Sequence, residues 1–293
     1  MDLKVDFAFK QMFGQPQNAE LLIDLLNALF KRSKREHIVS VTFPNTELTA
    51  ETFGDKEARL DVFAVTDAEE RINIEIQLSN HRDMVKRSLY YWASLFRSQA
   101  KSGMKYLELN RTITVNILDF HYFDSTPVYH STYHLLDEKT QMPMTDVMEI
   151  HFIELPKLRK SYLDNLAQAV QDPLERWLLL LDAADNEQIR TELEALAMKD
   201  PIMEKAMEAW EQISRDPDNW AAYLARHMAM MDKASWLADA RAEGIEVGRE
   251  EGKLEKSLEI ARNFLLMNHD VSEVANATGL SVAQVEEIKR QLH

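Results

Sequence analysis

The chain has 293 residues, 45% hydrophobic and 28% charged, which is globular composition and excludes wholesale disorder. It contains no cysteine, so disulfides and thiolate metal sites are excluded, and a reducing, cytoplasmic setting is expected. A net charge of −15 argues against a generally basic nucleic-acid-binding surface, so any contact with a phosphate backbone has to be local.

The start, Met1-Asp2-Leu3-Lys4-Val5-Asp6, lacks the pattern of a signal peptide, and no apolar run approaches a membrane span, so no membrane partner is expected. Residues 6–31 read as a helical region. Phe9, Phe13, Leu21, Leu22, Leu25, Leu26 and Leu29 recur at helical spacing, and Gly14-Gln15-Pro16 breaks the region in two. Its end carries the basic cluster Lys31-Arg32-Ser33-Lys34-Arg35, where cations suit a helix terminus. A strand is expected over 38–43, with Val39, Val41 and Phe43 on one face. Two more are expected over 60–65 and 72–78, around the polar turn 66–71. A long amphipathic helix over 83–102 follows, stopped by Gly103. Strands over 112–118 and 149–155 complete a mixed, layered α/β core.

After Pro156 the β signals stop, and residues 161–236 read as all-helical. Asp172-Pro173, Asp200-Pro201 and Asp216-Pro217 each place a capping Asp before a Pro at the first helical position. A four-residue repeat follows in Glu243-Gly244, Val247-Gly248 and Glu251-Gly252, and short helices flank Thr278-Gly279-Leu280-Ser281. The expected division is 1–160 as an α/β domain, 161–236 as a helical extension and 237–293 as a helical tail.

The chemistry concentrates between Leu60 and Leu78. In the first strand Asp61, Phe63 and Val65 share one face, and Asp61 is the one polar residue in a segment apolar on both sides. A strand of that kind is buried, and a carboxylate there needs a partner. In the second strand Asn73, Glu75 and Gln77 share a face. If Val65 pairs with Arg71, Asp61 lies opposite Glu75, and two carboxylates at that distance call for a cation between them. The alternative is a solvated strand face with Asp61 at a strand start. The next helix carries Arg82, Lys86, Tyr90, Arg97 and Lys101 in one stripe, beside an apolar stripe of Val85, Leu89, Trp92 and Phe96 expected to pack on the sheet. Cations interleaved with an aromatic suit a phosphate backbone; a plain solvated basic face would look the same.

Four stretches together carry a family resemblance. They are Asp6-Phe7-Ala8-Phe9-Lys10-Gln11-Met12-Phe13-Gly14, Asp55-Lys56-Glu57-Ala58-Arg59-Leu60-Asp61-Val62, Asn73-Ile74-Glu75-Ile76-Gln77 and Lys86-Arg87-Ser88-Leu89-Tyr90-Tyr91-Trp92. In order and spacing, over about the first 120 residues, they resemble the bacterial recombination-promoting nuclease/transposase family, a branch of the PD-(D/E)XK superfamily. The resemblance implies a restriction-endonuclease-like three-layer core with a mixed sheet, followed by an all-α C-terminal half. It implies acidic residues that hold Mg²⁺ (or Mn²⁺/Ca²⁺) and activate water against a phosphodiester. Asp61 and Glu75 match the metal ligands, with the Ile76 carbonyl as a third. Gln77 stands where the superfamily usually has Lys, and a neutral amide can only orient by hydrogen bonds. Lys86 is the candidate for the missing cation. Asp6 is a candidate accessory acid and Lys10 a candidate substrate contact, against ordinary surface charge for both. The DNA-binding set is Arg82, Lys86, Arg87, Tyr90, Arg97 and Lys101.

The tail has two readings. Residues 271–292 fit a helix-turn-helix register. Yet residues 232–293 hold eight Lys and Arg against twelve Asp and Glu, which favours a protein contact over DNA. Gly244, Gly248 and Gly252 lie every four residues along one helix face, which favours close helix pairing and a homodimer. The favoured function is a divalent-metal-dependent DNA endonuclease linked to recombination, mobile elements or phage defence. The alternative is a catalytically degenerate oligomeric adaptor that binds DNA or protein.

Overall fold

The computed structural model describes residues 1–30, 37–44, 47–48, 58–80, 82–162 and 165–292. The basic cluster after residue 30 and the Asp55-Lys56-Glu57 stretch lie outside the described residues.

The apolar hairpin of the first half becomes the middle of a six-stranded sheet. Strand β4 (Val62–Thr66) pairs antiparallel with β5 (Arg71–Gln77), and β5 runs parallel to β6 (Thr112–Leu118), which runs parallel to β8 (Met148–Glu154). The edges are β1 (Val41–Thr42) beside β4 and β7 (His130–Tyr133) beside β8, both antiparallel, giving the order β1-β4-β5-β6-β8-β7. Strands β2 (Glu47–Leu48) and β3 (Ala58–Arg59) form a separate two-stranded ladder. Every residue of β6 and β8 is buried, as parallel strands covered on both faces require.

The strand expected over 38–43 shrinks to the two residues of β1. Asp67 Oδ1 takes the amides of Val39 and Ser40 at 3.0 and 3.3 Å, and Asn27 Oδ1 takes that of Ile38 at 2.8 Å. Those amides go to side chains and leave the ladder.

Helix α3 (Met84–Ser98) covers the sheet face that carries Asn116, whose Nδ2 donates to Ser88 Oγ at 2.9 Å. Only half of the expected apolar stripe packs there: Trp92 lies against Leu118, Ile150 and Phe152 and donates its Nε1 to the Thr112 carbonyl at 2.8 Å, with Phe96 stacked on it. Met84, Ser88, Ser94 and Leu95 are buried, whereas Val85 and Leu89 are 39% and 41% exposed. The reason lies in the sheet. Asn73, Glu75, Thr114 and Asn116 are buried polar groups on that face and take the helix side that offers Ser and Arg.

The opposite face meets α1 (Asp6–Phe13) and α2 (Ala19–Phe30), with Phe30 against His151 at 5.6 Å. Both helices pack in turn on the helical region that follows: α4 (Leu155–Tyr162), α5 (Leu166–Ala169), α6 (Pro173–Asp182), α7 (Glu187–Ala197), α8 (Pro201–Arg215) and α9 (Pro217–Leu266). Trp177 is fully buried, edge-on to Phe13 at 5.7 Å, and its Nε1 donates to Asp24 Oδ2 at 2.7 Å. The expected caps form: Asp172 and Asp200 accept from the second and third amides of their helices, and Asp216 from Asn219.

Residues 1–160 and the helices through the first part of α9 share one compact unit, Met1–His227; the rest of α9 belongs to a second unit, Met228–His293. Within the second unit, α10 (Val271–Thr278) and α11 (Val282–Gln291) enclose Ala261, Leu265, Val274, Leu280, Val285 and Ile288. Gly279 makes the turn between them at φ 71°, a left-handed conformation suited to glycine, and Ser281 and Gln284 form a reciprocal capping box. Gly244, Gly248 and Gly252 lie in α9, with open space where a Cβ would stand.

Candidate active site

The β4–β5 register fixes the site. Val65 pairs with Arg71 and Val62 with Ile74, so Asp61, one residue before β4, falls opposite Glu75. Asp61 Oδ2 accepts the Ile76 amide at 3.0 Å, and the Asp61 amide donates to Glu75 Oε1 at 3.4 Å. In an extended strand the N–H and C=O of one residue point to the same flank, so the Ile76 carbonyl lies on the flank that Asp61 occupies. Glu75 is 1% exposed and also accepts from Asn73 Nδ2 at 3.2 Å. The solvated-face alternative therefore does not hold for Asn73 and Glu75.

Burial, followed by repulsion from Asp61, pushes the Glu75 carboxyl up to about 8. Burial pushes Asp61 up to about 6, against the Ile76 hydrogen bond. Both side chains of α1 named from the sequence act on this carboxylate: the charge of Asp6 raises Asp61 and that of Lys10 lowers it.

The cation beside the pair is Arg87. Its Nη2 stands 3.4 Å from Glu75 Oε2, its Nη1 donates to Gln77 Oε1 at 3.3 Å, and its Nε donates to Tyr91 Oη at 3.1 Å. The guanidinium also lies over the Tyr91 ring, 5.2 Å from its centroid. Lys86, the sequence candidate for this place, is the neighbouring residue of the same helix turn and is exposed. The sequence signal for Arg87 was its position one turn before Tyr91 and beside Ser88, on the side of α3 that faces the polar sheet. Lys86, Tyr90 and Arg97 are exposed along α3, but the helix ends at Ser98, short of the expected residue 102, so Arg82 and Lys101 are exposed beyond its two ends and not on its stripe.

Among the described residues no group of three or more His, Cys, Asp or Glu could hold a metal ion. What the site offers is two carboxylates, both held up by burial, and one backbone carbonyl. That donor set fits Mg²⁺, which is held by one or two carboxylates with water and substrate phosphate completing its shell.

The profile of the PD-(D/E)XK nuclease family transposases matches residues 3–240. The chain belongs to that family. No curated protein and no solved structure matches it. The match runs through the helical region to residue 240, well past the sheet, and agrees with the packing of that region on α1 and α2. The mixed sheet followed by helices is the architecture expected of a PD-(D/E)XK nuclease. Members of this superfamily generally use divalent metals.

Proposed function

We propose that this PD-(D/E)XK family chain is a divalent-metal-dependent DNA endonuclease that hydrolyses phosphodiesters in the cytoplasm. Its proposed setting is recombination, mobile elements or phage defence. One observation carries the reading: Asp61 and Glu75 sit opposite each other in a buried hairpin, both raised, with the Ile76 carbonyl beside them. A bound Mg²⁺ (or Mn²⁺/Ca²⁺) would supply Lewis-acid activation of water and phosphate. Asp61, Glu75 and the Ile76 carbonyl would hold it, Asp6 would tune Asp61, and Lys10 would meet the substrate from α1. The exposed side chains of Arg82, Lys86, Tyr90, Arg97 and Lys101 would carry the DNA backbone. Among the described residues no helix is long and apolar enough to cross a membrane.

The second unit is proposed to join two copies of the chain. Helix α9 exposes Met231, Trp236, Leu237, Ile245 and Val247 in addition to its open glycines. The test of the nuclease reading is incubation of plasmid DNA with the protein and Mg²⁺, Mn²⁺, Ca²⁺ or EDTA, beside Glu75→Ala. Cutting that needs the ion and Glu75 supports it. A protein that binds DNA or partners but ignores divalent ions is the degenerate adaptor.

A further inference from the structure

Gln77 poses the question this site leaves open. The superfamily usually has a lysine at that place, and here the side chain is neutral. The amide is nonetheless engaged, since its Oε1 accepts from Arg87 Nη1. A lysine at residue 77 would instead set a like charge against that guanidinium. The three nitrogens of Arg87 are each spoken for, by Glu75, Gln77 and Tyr91, and the first of these contacts is the longest. Gln77 and Tyr91 thus form a seat that holds Arg87 without the help of Glu75. Arg87 keeps 31% of its side chain exposed, so the fork also faces solvent at the mouth of the carboxylate pair.

We propose that Arg87, seated by Gln77 and Tyr91, supplies the positive charge at the scissile phosphate, and that it rests on Glu75 until a divalent ion takes that carboxylate. The inference rests on the metal-centre reading above. Its physical basis is competition. A cation bound by Glu75 repels the guanidinium, which frees Nη2 to donate to a phosphate oxygen while Gln77 and Tyr91 keep hold of Nη1 and Nε. The charge of the usual lysine has in effect moved from the strand to the helix, and residue 77 has become its anchor.

The proposal separates two quantities that a merely structural arginine would move together. Arg87→Gln should bind Mn²⁺ several-fold more tightly than the wild type in calorimetry without DNA, because a competing charge is gone. The same variant should lose duplex affinity in Ca²⁺ and lose cleavage by about 10²–10³-fold, the scale of removing one donor to a developing anion. Gln77→Lys alone should also cut poorly, because it repels Arg87. The double variant Gln77→Lys/Arg87→Gln should recover cleavage above either single one, since it returns the charge to the strand. Arg87→Lys, which keeps the charge without the fork, should fall between wild type and Arg87→Gln, and it serves if Arg87→Gln does not fold. Mn²⁺ binding by the wild type with no tightening in the Arg87 variants, or a double variant no better than the worse single one, overturns this inference alone. A wild type that binds no Mn²⁺ overturns the metal-centre reading and this inference with it.

Discussion

The Ile76 amide donates to Asp61 Oδ2 at 3.0 Å, which ties the carboxylate before β4 to the residue after Glu75. The pair is held by backbone on both strands, so removing one carboxylate should leave the hairpin standing. Asp61→Ala and Glu75→Ala are each expected to abolish cleavage. Their melting temperatures in metal-free buffer should stay near or above that of the wild type: one lost hydrogen bond costs about 1 kcal/mol, and relief of repulsion offsets it. Wild-type cutting rates in either variant would remove both residues from the site.

The raised carboxyls predict a pH dependence with a definite sign. Glu75 moves from an ordinary 4.5 to about 8, so the folded metal-free protein holds a proton that the unfolded chain has released across that interval. Asp61 adds the same sign between 3.8 and about 6. Their contribution to stability is therefore complete at the acid end and is lost as pH rises through the folded values. Urea unfolding at several pH values in EDTA should show stability falling toward about pH 8, with a flatter slope in Glu75→Gln and in metal-saturated protein. Equal slopes in wild type and Glu75→Gln would contradict this.

Much of this was legible in the sequence because it rests on period and register. The two helices before residue 31, the β4–β5 hairpin and the aspartate-proline caps all follow from local pattern. So does the Asp61–Glu75 opposition, once Val65 is paired with Arg71. What the sequence misplaced depends on what lies across a gap. The helix wheel put Val85 and Leu89 on the sheet because it assumed an apolar sheet face. The actual face carries Asn73, Glu75 and Asn116 and selects Ser88 and Arg87 instead. The burial of Trp177 against α1 and α2 is likewise a contact between residues far apart in the chain, which local pattern does not carry.

The exposed stripe of α3 should behave as a phosphate contact and nothing more. Lys86→Ala is expected to weaken DNA binding and to lower the salt slope by about 1, while Mn²⁺ affinity stays unchanged. The loss should exceed that of Lys34→Ala, which removes a charge from the cluster after α2. If the two variants weaken binding equally, the α3 face is only solvated surface.

The helices after residue 160 should be required for the sheet to fold. Trp177 fills the space beside Phe13 and bonds to Asp24, which also pairs with Arg176 at 3.1 Å. Trp177→Ala is expected to cost about 3–5 kcal/mol. A fragment ending at residue 160 should be unfolded by circular dichroism, and one ending at 227 should be folded. A stable, cooperatively melting 1–160 fragment would show the extension to be dispensable.

Deleting residues 236–293 should lower the oligomeric state more than it lowers nuclease activity per folded unit. The candidate site lies wholly between Asp6 and Tyr91, inside the unit that ends at His227. The deleted part holds the open glycines of α9, and Trp236 and Ile245 there are 74% and 62% exposed, apolar surface that a lone helix leaves in water. Its charge balance, like that of residues 232–293, is acidic, which repels a phosphate backbone. A self-complementary helix contact gives a two-fold dimer most simply. Light scattering of the full chain and the truncation measures the assembly, and plasmid nicking per folded molecule measures the chemistry. A dimer that becomes a monomer with nicking retained is the expected result. If both proteins have the same mass, the tail is not the assembly element. If the truncation loses all affinity for duplex DNA, the helix-turn-helix reading of α10 and α11 replaces this one.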